Sequence, residues 1–429
     1  MWVDAVRRGP LAGTRAGVVV GALLLTTLLL AGCTAAPVPT PTPPPTPAPT
    51  VTPTGDGTLR IGSLLPTSGA LAFLGPATNA GIALAIADIN EAGGVEGRPV
   101  ELLARDSGDA TTADAETAFD ELVSAGADAV VGPASSVLAE RVLPAAAAAG
   151  VPLVSPAATY PQLTDDDVDG WFSRTVPPYG HQAAAVAQSL DKASADRVVL
   201  IVADDPVAGS IVAPLATALE AHGGELAARI TVDAATGVAA VVAQAVATAP
   251  DAVVLATLDN GAQTQALISG LTAAGLGGAR LWLTSQNVAD YSQALPAGLL
   301  AGVTGVIEGA MPDAAFAARV RQLDPALSDV RYAAESYDAT VLIALAATIA
   351  HDDGAASIAA TLRAASAGGI KCADFEECLD VLAVGDEPDY DGVSGAVDLD
   401  GMGDPVTAYY GVYSYDASNK FALVGGVTA

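Results

Sequence analysis

From residue 58 onward, short runs of Val, Ile and Leu alternate with longer, alanine-rich stretches of helical spacing. This alternation limits the fold more than any other feature. The short, largely hydrophobic runs at 59–65, 100–105, 129–132 and 152–155 read as strands. Between them, 76–91, 112–124 and 136–149 carry helix signals: Ile82, Ile86 and Ile89 share a face, and Gly93-Gly94 supplies a stop. Strands buried on both faces and joined by helices form parallel sheets built from βαβ units. The pattern restarts after Pro177-Pro178, with helices expected at 181–190, 209–222, 237–248 and 262–274. Strands are expected there at 197–202, 226–231, 252–256 and 280–283. Helical stretches at 332–349 and 355–365 follow, and 393–427 alternates between Gly/Asp turns in the manner of β-hairpins. Aromatic residues make up 4% of the chain, and alanine fills most of its apolar share, which suits helix-covered sheets better than a large all-β sandwich.

Two similar α/β lobes predict a clamshell with a ligand in the crevice at the carboxyl ends of the strands. The first 33 residues have a different purpose. Arg7, Arg8 and Arg15 precede an apolar run at 16–30 that ends in Leu30-Ala31-Gly32-Cys33. That order is a lipoprotein signal peptide (1–32) followed by Cys33 as the lipidated first mature residue. The run is too short for a membrane-spanning helix. Residues 33–57 contain a Pro/Thr tract, extended in polyproline II, that reads as a stalk lifting the rest of the chain off a membrane. The expected location is extracytoplasmic, lipid-anchored to the cell membrane. In that oxidising setting Cys372 and Cys378 are expected to form a local disulfide.

The chain has 48 acidic and 18 basic residues, a formal charge of −30, and lysine at positions 192, 371 and 420 alone. A phosphate-tracking surface needs clustered Lys and Arg, so nucleic acid is excluded as a partner. No catalytic constellation is present: there is no nucleophile elbow, zinc-binding helix, phosphate loop or dinucleotide fingerprint. His181, His222 and His351 are scattered. The run Asp165-Asp166-Asp167-Val168-Asp169-Gly170 opens like a calcium loop, but its twelfth position is Val176 rather than Glu. No metal, cofactor or enzymatic activity is expected.

Several segments, in order, resemble one family. They are Ile61-Gly62 with Pro66-Thr67-Ser68-Gly69; Ala87-Asp88-Ile89-Asn90-Glu91-Ala92-Gly93-Gly94 through Arg98; Asp106; and Val131-Gly132-Pro133-Ala134-Ser135-Ser136. Val151-Pro152-Leu153-Val154-Ser155-Pro156-Ala157-Ala158-Thr159-Tyr160, Phe172-Ser173-Arg174-Thr175-Val176-Pro177, Tyr337-Asp338-Ala339 and Tyr390-Asp391-Gly392-Val393-Ser394-Gly395 complete the series. The set, spanning residue 58 to the C-terminus, resembles the type I periplasmic binding proteins, specifically the branched-chain amino acid (Leu/Ile/Val) binding group of ABC importers.

The resemblance implies an α/β fold of two Rossmann-like lobes joined by three crossovers, near 174–177, 305–311 and 393–397. Lobe 1 would hold 58–175 plus 307–395, and lobe 2 would hold 176–306 plus 396–429. It implies a monomeric receptor that passes a small molecule to a membrane permease, with a sensory receptor of the same fold as the alternative and a cell-wall enzyme as a more distant one. It assigns the ligand's carboxylate to Ser135 and Ser136, at a helix start rich in free N–H groups, and to Thr159; it assigns the ammonium to the Ala157 carbonyl and Thr159. Phe73 would cover the ligand's side chain, and Tyr160, Tyr179 and Tyr337 are further lining candidates. The second lobe departs from the family pattern. Ala208-Gly209 stands where relatives have a tyrosine, and Gln286 where they have the acid that neutralises the ammonium. Asp204, Asp205, Asp259 or Glu308 could replace that acid, with Asp259 best placed by sequence. An amino acid, an amide or a related carboxylate is the expected ligand class.

Overall fold

The computed structural model describes residues 52–165, 170–309, 312–327 and 329–429. The expected signal peptide, Cys33 and the expected stalk as far as residue 51 lie outside the described residues, as do residues 166–169 of the acidic run.

The first lobe begins with β1 (Arg60–Leu65), α1 (Gly75–Glu91), β2 (Glu101–Asp106), α2 (Asp114–Ser124) and β3 (Ala129–Val131). It continues through α3 (Ser136–Ala149), β4 (Leu153–Ser155), α4 (Gln162–Asp165) and β5 (Phe172–Arg174). These strands form a sheet in the order β2-β1-β3-β4-β5, parallel throughout. The chain then crosses to the second lobe: α5 (Gln182–Lys192), β6 (Arg197–Ala203), α6 (Pro206–Gly209), α7 (Val212–Ala221), β7 (Glu225–Val232) and α8 (Val238–Ala247). Next come β8 (Ala252–Ala256), α9 (Ala262–Ala273), β9 (Leu281–Leu283) and β10 (Thr304–Glu308).

After β10 the chain returns to the first lobe. It forms α10 (Ala314–Leu323), α11 (Ala333–Ala350), α12 (Ala355–Thr361), β11 (Ile370–Cys372), α13 (Phe375–Ala383), β12 (Pro388–Gly392) and β13 (Gly395–Ala396). Strands β11, β12 and β13 make a small sheet of their own. A last passage carries the chain back as β14 (Tyr409–Tyr415) and β15 (Phe421–Thr428). The second sheet therefore runs β15-β14-β10-β9-β8-β6-β7, with β14 and β15 antiparallel at one edge. This is the doubly covered two-lobe α/β architecture with three passages between lobes.

Its core follows from the apolar runs. Residues Val198 to Val202 of β6 and Ala252 to Ala256 of β8 have no solvent exposure. Each buried Val, Ile or Leu contributes about 1.5–3 kcal/mol relative to exposure. Helix α11 is long and apolar enough to cross a membrane, yet 83% of that stretch is buried, packed on α1 in the first lobe's core. One end in the sequence reading is corrected by the structure. The expected crossover near 305–311 is in part strand, because β10 pairs with β9 as far as Gly305 and with β14 as far as Glu308. The C-terminal strands β14 and β15, expected as hairpins in the second lobe, complete its sheet. Helices α10 and α13 lack the long apolar stretch that makes α11 legible. Cys372 and Cys378 are disulfide-bonded, tying the end of β11 to α13.

Candidate functional site

The carboxyl ends of the strands in both lobes face a cleft of about 520 Å³. The first lobe lines it with Phe73 from the β1–α1 loop, Ala134 to Val137 at the start of α3, and Ala157 and Tyr160 after β4. The second lobe contributes Asn260, Ser285, Gln286 and Val288. The end of β10 adds Ile307 and Glu308, and Arg331 and Tyr332 complete the wall just before α11.

The serine turn is built by backbone constraints. Gly132 follows β3 with φ +118°, and a Cβ there would sit 2.3 Å from the Leu64 carbonyl oxygen. Only glycine lets the chain pass β1 so closely before turning into α3. Ser135 is the N-cap of α3; its Oγ accepts from the Leu138 N–H at 3.4 Å. Ser136 Oγ accepts from the N–H groups of Thr159 (2.9 Å) and Tyr160 (3.3 Å), which welds the β4 loop to the helix start. The Ser136 hydroxyl proton remains available to an acceptor. With the uncapped N–H groups of the first turn, this corner presents donors to an acceptor-rich group.

The β4 loop is held from below. Ser155 Oγ donates to the Pro133 carbonyl at 2.6 Å and accepts from the Ala158 N–H at 3.0 Å. Arg174 donates to the carbonyls of Ala158 (3.1 Å) and Tyr160 (2.8 Å). Thr159 sits behind the cleft wall, buried, with its Oγ1 lacking a hydrogen-bond partner among the described residues.

Of the residues singled out by sequence, the cleft brings together Phe73, Ser135, Ser136, Ala157, Tyr160 and Gln286. The others sit elsewhere. Tyr179 is buried in the second lobe's core and donates to Thr284 Oγ1 at 2.8 Å. Tyr337 is buried in the first lobe's core and donates to Asp88 Oδ2 at 2.7 Å. Asp259 turns its carboxylate back on its own loop, where Oδ1 accepts from the Gly261 N–H (2.8 Å) and the Thr264 hydroxyl (3.0 Å). Its neighbour Asn260 faces the cleft instead.

Glu308 is the carboxylate among the residues lining the cleft. It is 4% exposed, and burial pushes its carboxyl pKa up, with the neighbouring Ser285 and Tyr332 hydroxyls drawing it part of the way back. The Tyr332 hydroxyl donates to Oε1 at 3.5 Å, while Oε2 has no hydrogen-bond partner among the described residues. Sequence ranked Glu308 below Asp259; the signal that could have raised it is an acid closing an otherwise apolar strand. The guanidinium of Arg331 pairs with Asp329 at 2.6 Å and lies 5.5 Å from the Phe73 ring centroid.

Among the described residues, one cluster has the composition of a metal site: Asp389, Asp391 and Asp398. Lys371 Nζ lies 2.9, 2.8 and 3.4 Å from these three carboxylates and supplies the cation itself.

The profile of the family described as periplasmic binding protein matches residues 58–372. The chemotactic signal transduction system substrate-binding protein BasB of Halobacterium salinarum is 30% identical over 369 residues, 81% of this chain and 85% of that one. The Leu/Ile/Val-binding protein homolog 3 of Brucella melitensis is 32% identical over 147 residues, 34% of this chain and 39% of that one. Among solved structures, an ABC transporter substrate-binding protein from Desulfitobacterium hafniense in complex with Leu has a TM-score of 0.65 at 21% identity, covering 86% of this chain and 100% of that one. A solute-binding protein of an ABC transporter from R. palustris in complex with benzoate has a TM-score of 0.57 at 21% identity, covering 86% and 96%. The two-lobe fold, the cleft and the profile match over most of the chain agree: this chain belongs to the periplasmic binding protein family.

Proposed function

We propose that this protein is the extracytoplasmic substrate-binding lipoprotein of an ABC importer. It holds a small polar metabolite (an amino acid, an amide or a related carboxylate) between its lobes and presents the closed form to a membrane permease. The observation that carries the reading is the cleft itself, lined by polar groups from both lobes, with Ser135 and Ser136 on one side and Asn260, Ser285 and Gln286 on the other. A ligand bridging the two sets binds the closed form better than the open one and shifts the equilibrium by that difference. The Leu/Ile/Val-binding relatives support an amino-acid ligand, and the family supports a location outside the cytoplasm, with Cys33 as the anchor.

A second reading is favoured by one relative. The BasB similarity spans most of both chains, and that protein is named for chemotactic signal transduction. In this reading the closed form is delivered to a membrane signalling partner. Thermal shift of the full chain in detergent against amino acids, amides, short carboxylates and sugars tests the receptor reading. A ligand at 100 times its Kd adds about 2.7 kcal/mol and moves Tm by a few degrees. No shift with any of them counts against it. Deleting the gene separates the two readings: loss of uptake supports transport, and loss of a behavioural response with uptake intact supports sensing.

A further inference from the structure

Asn260 and Gly261 follow one another in the loop between β8 and α9. The other asparagines of the chain, Asn79, Asn90, Asn287 and Asn419, each precede a residue that carries a side chain. Asn260 and Gly261 are both exposed to water, and Asn260 lines the cleft. The Asn260 side-chain amide makes no hydrogen bond among the described residues, so it can turn back toward its own main chain. The backbone nitrogen within its reach is that of Gly261, and glycine has no Cβ to obstruct the approach.

Both ends of the peptide bond between the two residues are engaged. The Gly261 N–H donates to Asp259 Oδ1 at 2.8 Å, and Gln265 Nε2 donates to the Asn260 carbonyl oxygen at 2.8 Å. A carboxylate on the N–H is placed to take its proton as a general base. A donor on the carbonyl oxygen stabilises the negative charge that spreads there as the nitrogen loses that proton. Asp259 is itself held in position: its carbonyl accepts from Asn287 Nδ2, and Oδ1 also accepts from the Thr264 hydroxyl at 3.0 Å.

We infer that Asn260 is a site of self-modification, at which the chain converts a neutral amide of the cleft wall into a carboxylate with Asp259 as the base. The Gly261 nitrogen attacks Cγ of Asn260, and the N–Cγ bond forms as Asp259 takes the N–H proton. Asp259 returns that proton to the side-chain nitrogen of Asn260, the Cγ–Nδ2 bond breaks, and ammonia leaves. Water then adds to either carbonyl of the five-membered imide, and the ring opens to aspartate or to isoaspartate. One water is consumed and one ammonia released, with no change of oxidation state. Either product adds a negative charge to the second-lobe wall, and isoaspartate also lengthens the main chain by a methylene. The charge of the cleft therefore changes with the age of the chain. The chemistry belongs to the loop and holds whatever ligand the cleft takes.

The test is peptide mapping by mass spectrometry of the full chain in detergent, sampled during incubation at neutral pH beside a synthetic peptide of residues 257–265. The inference expects Asn260 to be converted faster in the folded chain than in the peptide, with an equal amount of ammonia released and a more anionic form appearing on ion exchange. Gly261→Ala should slow the conversion at least tenfold. The φ angle at Gly261 is −71°, and an added Cβ would lie 3.3 Å from the exposed Asp259 Oδ1, so alanine fits the loop with a small shift. Asp259→Ser keeps a short acceptor for the Gly261 N–H but no base, and should slow the conversion at least threefold. Conversion no faster in the folded chain than in the peptide overturns the inference, and so does an unchanged rate in Asp259→Ser. Either result leaves the receptor reading standing.

Discussion

The guanidinium of Arg174 and the carboxylate of Asp404 meet at 2.6 Å across 230 residues of sequence, with the arginine side chain fully removed from solvent. Arg174 ends β5, where the chain first leaves the first lobe; Asp404 lies on the last passage, just before β14. The pair thus clasps two of the three connections. Arg174 also donates to Thr164 Oγ1 and to the Ala158 and Tyr160 carbonyls, so the same side chain fixes the loop that lines the cleft.

Removing one partner of this pair leaves a buried charge unmatched, which costs about 3–5 kcal/mol. Asp404→Ala and Arg174→Met are therefore expected to lower the urea midpoint strongly. The double variant should be less destabilised than the sum of the singles. Additive losses would show that the pair does not act as a unit.

Asp128 ties the start of β1 in place, with Oδ2 accepting from the Arg60 N–H at 2.8 Å. Burial, with the charge of Asp353 adding to it, pushes its pKa up from 3.8 to about 7. The folded chain thus keeps a proton that the unfolded chain releases. The resulting stability is fully present below about pH 4 and is lost as pH rises through 7. Asp128→Asn keeps the acceptor and removes the titration. Relative to wild type, the variant should gain about 1–2 kcal/mol by pH 8, after allowance for partial solvent access, and nothing at pH 4. A difference in stability that does not vary with pH rules this out.

Glu308 has the same sign. Its carboxyl is pushed up from 4.5 by burial, so in the empty protein its contribution is greatest below that value and falls as pH rises through the folded-state pKa. Glu308→Gln should raise Tm of the empty protein at neutral pH and leave it unchanged near pH 4. A lower Tm at neutral pH would mean the carboxylate is paired by something other than a ligand.

The disulfide between Cys372 and Cys378 closes a loop of six residues' separation. Loop closure of that size is worth about 2 kcal/mol. The Cys372→Ala/Cys378→Ala double variant should lose about that much in denaturant melts. Neither cysteine lines the cleft, so ligand affinity should stay within a factor of two of wild type.

Much of the fold was legible because burial was written into composition. The runs at 197–202 and 252–256 are apolar at every position or nearly so, and they are buried strands in the structure. Ile82 and Ile89 at helical spacing are both buried in α1. What was not legible depends on direction rather than residue type. Asp259 and Glu308 are both acids at the carboxyl ends of strands in the second lobe. One folds back on Gly261 and Thr264 and the other faces the cleft, a difference set by the turn each enters. Tyr337 illustrates the same limit. Its neighbours in sequence match a family motif, but the helical face it occupies points it into the core at Asp88. The pairing of β14 with β10 spans about a hundred residues and leaves no local trace.

Arg331 connects the lobes by a contact that ligand binding should sense. Its guanidinium lies 5.5 Å from the ring centroid of Phe73, in the first lobe, and 5.8 Å from that of Phe421, on β15 in the second. Phe73 is 55% exposed, so half of its ring still faces solvent at the cleft. A guanidinium over an aromatic face contributes about 0.5–1 kcal/mol at an exposed site. Phe421→Leu removes the second-lobe contact and keeps an apolar side chain against the sheet. It should favour the open form, weaken ligand binding by about threefold to fivefold, and enlarge the radius of gyration of the empty protein in small-angle scattering. Phe73→Ala should weaken binding of ligands with an apolar side chain more than that of short ones. If Phe421→Leu leaves both Kd and radius unchanged, the arginine serves its Asp329 ion pair alone and takes no part in closing the lobes.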